Sequence, residues 1–476
     1  MPSSKRAPKL KDQFHHVIPR FILREFKMGP KKTKQEREKE FQKSGFVDDK
    51  VWFYDIKLGT LEPRLISQVF GVKNLYRDIR NTKDVDEIEK KFSALEASVA
   101  HILHNLHNVV QDCSESSTIM NTTLPVFSII REDLERLRKF LFLMHYRNEA
   151  HAKSYFSASH PENADIRERI VKMNKKLGLN INSPAEMWLH FMRYYLDTPH
   201  SEIGLHAFRG KESAALSGAD ALKGSFTVNP DAENFEAMTY HTQASMYFLG
   251  IVQAAPGQEF VLGHNTFGLW EGIVAGESGL HRLFVISPQV AMILRLNFFR
   301  PDALNTPRSW FLHTLTNSNL LDITLEPPES RAQRDFPRDE ARVIDFQKYK
   351  TSMQAKRDQF NFRITRLTEE QTYAMNAIVL LNARDSDGSI TFASPDRMSS
   401  TFQKFWYDTD VNHRRERHKY AALIQSLSSM SGPGPSQSSG CSGTADVFYN
   451  SIAGQVLRLG ATEPCPAELH YRNVYE

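Results

Sequence analysis

A chain of 476 residues with Lys+Arg 60 against Asp+Glu 56, a net charge of +4, is long enough to bury a large core and hold two or three domains. The near balance of charge argues against a dedicated polyanion binder and carries no strong nucleic-acid signal. Cys113, Cys441 and Cys465 are scattered, so neither a disulfide framework nor a cysteine zinc site is expected, and a reducing compartment is.

The segment Met1 to Gln13 is basic and polar without an apolar centre, unlike a secretory signal. No apolar run approaches the ~20 residues of a membrane span. The expectation is a soluble, intracellular protein of cytoplasm or nucleus, with no membrane partner.

The first element is the densest in chemistry: two histidines, a proline, two arginines and three phenylalanines lie between Phe14 and Phe26. Pro19 lacks an N–H and fixes φ, which suits the first turn of a helix. The helix is expected from Pro19 to Phe26, ended by Gly29-Pro30. Ile18, Phe21, Ile22 and Phe26 then share a core-facing side, while Arg20 and Arg24 are i,i+4 neighbours on another. His16 precedes the helix start. A helix N-terminus with two guanidiniums favours an anion such as phosphate or carboxylate. The alternative is a buried helix whose arginines pair with acids and whose histidine donates to a carbonyl.

The run His16-Val17-Ile18-Pro19-Arg20-Phe21-Ile22-Leu23-Arg24-Glu25-Phe26 resembles the opening of domain-of-unknown-function family 4238, roughly His-Tyr-Val-Pro-Arg-Phe-x-Leu-Arg-x-Phe. His16, Pro19, Phe21, Leu23, Arg24 and Phe26 match that pattern, and Val17 replaces an aromatic. The resemblance brings no reaction with it.

Lys27 to Lys50 alternates Lys, Glu and Arg and reads as an exposed insertion, with a solvated helix as the alternative. Val51-Trp52-Phe53-Tyr54 with a turn at Lys57 to Thr60 predicts a hairpin. Ser67 to Tyr76 is again similar to the family, in which a strand pair leads to a small-residue and tyrosine stretch.

A long amphipathic helix is expected from Val85 to Val110, its stripe formed by Ile88, Phe92, Leu95, Val99, Ile102 and Leu106. Glu96 flanks the stripe, either as a base of raised pKa or as the partner of an arginine. His101, His104 and His107 are spaced so that three ligands do not converge, so no metal is assigned. A second helix, Glu132 to Tyr155, carries Leu134, Leu137, Leu141 and Met144 in its core, with His145 and Arg147 toward its end. Arg147 is placed in the same pocket as Arg24 and Glu96.

Ser183-Pro184-Ala185-Glu186 is a capped helix start leading to Trp188, Leu189, Met192 and Tyr195. Gly210 to Asn229 reads as a loop. Ser245 to Ile251 and Glu259 to Leu262 bracket Ala255-Pro256-Gly257-Gln258, a hairpin signal. His281 to Asn297 supplies one or two further strands.

Here the resemblance implies a Ser-Asp-Asn-Pro stretch, but the chain reads Gly263-His264-Asn265-Thr266, keeping only Asn265. Ser287-Pro288 is kept. Thr368 caps a helix with Gln371 three residues on, and Ile390-Thr391-Phe392 reads as a short strand; both resemble the family's closing elements.

The expected fold is α+β and mainly helical, with long amphipathic helices packed on a small antiparallel sheet of three or four strands. The expected organisation is a disordered basic tail at 1–12 and one domain at 13–395, with insertions near 27–50, 156–240 and 299–360. A helical extension follows at 396–424, then a flexible linker at 425–444 and a C-terminal tail at 445–476.

Three functional readings follow. The first is a polar pocket for a small anionic ligand, with His16, Glu96 and His264 as catalytic groups and Arg20, Arg24, Arg147 and Asn265 binding the anion. The second is a non-catalytic interaction or scaffold protein. The third is a metal-dependent nuclease, suggested by His15-His16 and Pro19, although a helix follows where a strand should. No cofactor is implied.

Overall fold

A computed structural model describes residues 12–430 apart from 31, 46, 48, 82, 116–124, 149–151, 153–154, 158, 208–234, 275–276, 302–315, 332–348, 350–351 and 385–387. The loop expected at Gly210 to Asn229, most of the basic tail and everything after Met430 lie outside the described residues.

Strands β1 (Phe14–His16), β2 (Lys50–Asp55), β3 (Thr60–Leu65), β4 (Gly71–Lys73), β5 (Val126–Ile130), β6 (Tyr247–Gln253) and β7 (Leu262–Gly263) precede β8 (Leu269–Val274), β9 (Glu277–Val285) and β10 (Val290–Leu296). Then come β11 (Thr316–Asn317), β12 (Glu329–Arg331), β13 (Gln359–Arg366) and β14 (Ser389–Phe392). They form an 8-stranded sheet in the order β11-β8-β9-β10-β6-β13-β12 with β5 also on β13, a 4-stranded sheet β3-β2-β14-β7, and the β1-β4 pair. All neighbours are antiparallel except β13 and β6.

The expectation of one small sheet is therefore wrong. Part of the large sheet is legible, because β6 and β10 are buried at every residue and apolar except at Gln253 and Arg295. The rest is not. Strand β13 begins at the end of the stretch read as an insertion and runs beyond it, pairing with β5 in the register Phe362↔Phe127. The hairpin expected around Ala255 to Gln258 is also absent. Strand β6 joins β10, whereas β7 joins β14 in the other sheet. The Asn376 side chain holds the crossing segment: its Nδ2 donates to the Glu259 carbonyl at 2.8 Å and its Oδ1 accepts from Val261 N at 2.9 Å.

Helices α1 (Arg20–Leu23), α2 (Lys34–Ser44), α3 (Glu87–Glu115) and α4 (Arg131–Tyr146) belong to the first half. After them come α5 (Asn163–Leu177), α6 (Pro184–Asp197), α7 (His200–Ala207) and α8 (Phe235–Ser245). The last four are α9 (Glu369–Asn382), α10 (Pro395–Tyr407), α11 (Val411–Glu416) and α12 (Ala421–Met430).

Both expected caps are present: Ser183 accepts from Glu186 N, and Thr368 with Gln371 forms a capping box. Helix α4 is shorter than expected and ends at Arg147, which caps it. The 27–50 stretch holds helix α2, closed by a Thr33–Glu36 capping box and by Gly45 at φ 76°, a conformation suited to glycine. None of its residues is buried.

The main core joins the stripes of α3, α4 and α6 to the large sheet: Ile88, Phe92, Val99, Leu137, Leu141 and Trp188 are all buried. Among the residues expected in the α3 stripe, Leu95 is only partly buried. A second core joins Tyr54, Val261, Leu380 and Phe392 of the small sheet and α9 to Phe402, Trp406, Tyr420 and Leu423 of the C-terminal helices. Helix α12 thus occupies the start of the segment read as a flexible linker. Among the described residues no helix is long and apolar enough to cross a membrane.

Candidate functional site

The opening helix follows from Pro19, whose φ of −58° and ψ of 141° lead the chain into α1. Residues Arg24–Phe26 continue as a 3₁₀ turn. Ile18, Ile22, Leu23 and Phe26 are buried, so the helix presents Arg20 and Arg24 outward. Strand β1 fixes the histidines before it. Its partner Gly71 sits so close that an added Cβ would lie 2.6 Å from the His15 carbonyl, which only glycine allows.

His15 is stacked on Tyr76 with centroids 4.4 Å apart. Its Nδ1 accepts the Tyr76 backbone N–H at 3.2 Å, which assigns the proton to Nε2 beside Gln13 Oε1 at 3.1 Å. His16 Nε2 lies 2.9 Å from the Ile66 carbonyl and must donate to it. Burial pushes both imidazoles down to about 4. For His16, the fields of Arg20, Arg147 and Arg24 add to that effect, against the pull of the Ile66 hydrogen bond. A pKa held down to about 4 favours the neutral imidazole at pH 7.

Arg147 is buried, with 1% of its surface exposed. It pairs with Glu96 Oε1 at 2.7 Å, donates from Nε to the Val17 carbonyl at 3.3 Å, and lies 4.8 Å over the Phe92 ring. The acid that sequence reasoning passed over is Glu89. Burial raises it to about 7, Arg147 pulls it back, and Glu96 and Asp86 push it further up. A carboxylate one or two turns before Glu96 on the same face was the available signal.

Arg24 goes elsewhere. It lines a cavity of about 470 Å³ with Lys27, Lys32, Lys34 and Arg37, and with His104, His107, Asn108 and Gln111 of α3. Phe21 and Ala100 supply its apolar wall, and Glu25 is the one carboxylate among its lining residues. Behind it, buried Asp49 holds Lys27 at 3.0 Å and Arg24 and Lys32 at 3.9 Å. Burial lowers the Arg24 pKa first, Arg37 and Arg20 lower it further, and Asp49 opposes them. His107 faces Glu25 at 3.8 Å, while His101 and His104 are exposed.

His264 and Asn265 occupy the tight turn after β7. Thr266, at the family's proline position, closes that turn through its hydroxyl, which donates to the Gly263 carbonyl and accepts the Gly263 N–H, each at 3.0 Å. The His264 ring meets Phe70 edge-on at 5.7 Å. Asn265 Nδ2 is buried without a hydrogen-bond partner among the described residues.

Of the seven expected site residues, Arg147 and Glu96 meet each other, and His16 lies within the field of Arg147, Arg20 and Arg24. Of the seven, Arg24 alone lines the cavity; His16, Arg20, Glu96, Arg147, His264 and Asn265 do not. The reason is distance along α3. Arg147 sits by Phe92 and Glu96, whereas Arg24 faces His104 to Gln111, and Glu96 to His107 is about 16 Å at 1.5 Å per residue. Lys27, Lys32, Lys34, Arg37 and Asp49 are not legible as site residues in the sequence, because their stretch reads as an exposed insertion. The polar stripe His104, His107, Asn108 and Gln111 and the i,i+3 pair Lys34 and Arg37 were the signals that could have found the cavity.

A family model described as a protein of unknown function (DUF4238) matches residues 15–395. The matched span begins within β1, includes the Arg24 helix, α2, α3 and the Gly263–Thr266 turn, and ends as α10 begins. No curated protein and no solved structure matches the chain.

Proposed function

Since this chain belongs to the DUF4238 family, proteins of unknown function, its role has to be read from its own side chains, and we propose that it binds a small anionic ligand in the cavity between α1, α2 and α3. The observation that carries this reading is the lining: Arg24, Lys27, Lys32, Lys34 and Arg37 surround about 470 Å³ with Glu25 as the one lining carboxylate. Pockets of this size hold small ligands, and a half-enclosed cluster of guanidinium and ammonium donors prefers phosphate or carboxylate. Arg24 is the pivot, since it reaches the cavity from a helix anchored in the core.

The test is a thermal-shift titration with inorganic phosphate and pyrophosphate. In the wild type the midpoint rises with anion concentration as binding to the native state requires, and added salt weakens the effect. Arg24→Ala loses it. Identical profiles for the two proteins end the proposal.

A second reading fits other residues. Buried Arg147, half-buried Glu96, the Val17 carbonyl and Phe92 form a bonded set that joins α3, α4 and the chain's opening. This arrangement supports a structural role for that pair.

A further inference from the structure

The ligand class of the cavity follows from how its walls are charged, an inference that rests on the anion-binding reading above. Asp49 lies behind Arg24, Lys27 and Lys32. Lys34 and Arg37, on the opposite wall formed by α2, have no ion pair among the described residues. Arg24 and Arg37 line the same cavity, and the field of Arg37 adds to burial in lowering the Arg24 pKa while Asp49 opposes it. Helix α2 buries no residue that would force this approach by packing. A dianion between the walls answers both surplus cations and removes the repulsion.

The space is not shaped for a bare anion. Beside the cavity is a recess of about 60 Å³ lined by Ile22, Leu103 and Ile286, with Phe21, Glu25, Ala100, His104 and His107 common to both. Ile22, Leu103 and Ile286 are buried core residues that, with Phe21 and Ala100, give the recess an apolar wall, while Glu25, His104 and His107 make up its polar side. A ligand that fills both has a charged head and a compact apolar body.

We propose that the ligand is a small-molecule phosphate monoester, its phosphate held between Arg24 and the Lys34–Arg37 face of α2 and its organic group against Phe21, Ala100 and the recess. A phosphate monoester carries about −1.5 to −2 charges at pH 7 with three acceptor oxygens, which suits two guanidiniums and a lysine lining one cavity. A monocarboxylate lacks the charge, and inorganic phosphate or pyrophosphate leaves the apolar wall wet.

The test is calorimetric titration of the full chain with phenyl phosphate, inorganic phosphate, pyrophosphate and benzoate, on wild type, Arg37→Ala and Lys34→Ala. Both substitutions sit on an exposed helix and leave the core untouched. Phenyl phosphate is expected to bind roughly tenfold tighter than either inorganic anion, from burial of its ring, and roughly tenfold tighter than benzoate, from its second charge. Arg37→Ala weakens phenyl phosphate by about tenfold, and Lys34→Ala by less. If pyrophosphate or inorganic phosphate binds as tightly as phenyl phosphate, the monoester class is overturned while the anion cavity stands. Benzoate equal to phenyl phosphate overturns the dianionic head in the same way. An Arg37→Ala protein that binds phenyl phosphate like the wild type overturns the placement. If no anion binds, both this inference and the reading beneath it fall.

Discussion

Replacing Arg147 by methionine separates a fold-holding arginine from a ligand-holding one. The wild-type guanidinium is buried, bonded to Glu96 at 2.7 Å and to the Val17 carbonyl at 3.3 Å, and set over Phe92. Methionine keeps much of the apolar stem and removes all three contacts. Losing the charged hydrogen bond costs about 1.5–3 kcal/mol, and leaving the Val17 carbonyl unsatisfied costs about 1 more. The ring contact adds about 1. Glu96 keeps 23% of its side chain in solvent and can rehydrate, which places the total near 3–4 kcal/mol, at the lower end for a broken buried pair. Arg24→Ala makes the contrast: that side chain is 35% exposed and its ion pair is long at 3.9 Å, so the loss is below about 1 kcal/mol. Urea unfolding of the three proteins, followed by tryptophan fluorescence, measures both. Arg147→Met should unfold early and still respond to phosphate, whereas Arg24→Ala should unfold like the wild type and not respond. An Arg147→Met protein as stable as the wild type but blind to phosphate refutes the division.

Two further outcomes concern pH. Glu259 is buried, its Oε1 accepts from the N–H groups of Ala393 and Ser394, and burial raises it to about 7. A raised carboxylate binds more protons folded than unfolded, so its contribution is lost as pH rises from 4.5 through 7. Glu259→Gln keeps the accepting oxygen without the charge. Relative to the wild type it should gain about 1–3 kcal/mol between pH 5 and pH 8, and equal denaturation midpoints at the two pH values would refute the assignment. His16 has the opposite sign: held down to about 4, it binds fewer protons folded than unfolded, so stability falls as pH drops from 6.5 toward 4. His16→Gln, whose amide can still donate to the Ile66 carbonyl, should flatten that acid limb by about 1–3 kcal/mol; unfolding curves recorded from pH 7 to 4.5 that stay parallel to the wild type would show that the imidazole is not the cause.

The amino-acid sequence by itself determined the local features. Pro19 sets the start of α1, the apolar stripes of α3 and α4 set which faces are buried, and Ser183 and Thr368 mark their helices, because each depends on residues within one or two turns. It also singled out Arg24, Glu96 and Arg147 as polar groups on the edges of apolar faces. Which of them meet was decided by tertiary structure. Glu96 reaches Arg147 from the first half of α3, while Arg24 reaches α2 and the second half, and periodicity around a helix carries no record of what packs at each height along it. The sheets were decided the same way, since β5 and β13 pair across more than two hundred residues and no local signal encodes a partner that distant. The basic cavity needed both kinds of information: charges legible one at a time, and a fold that turns a polar helix back over them.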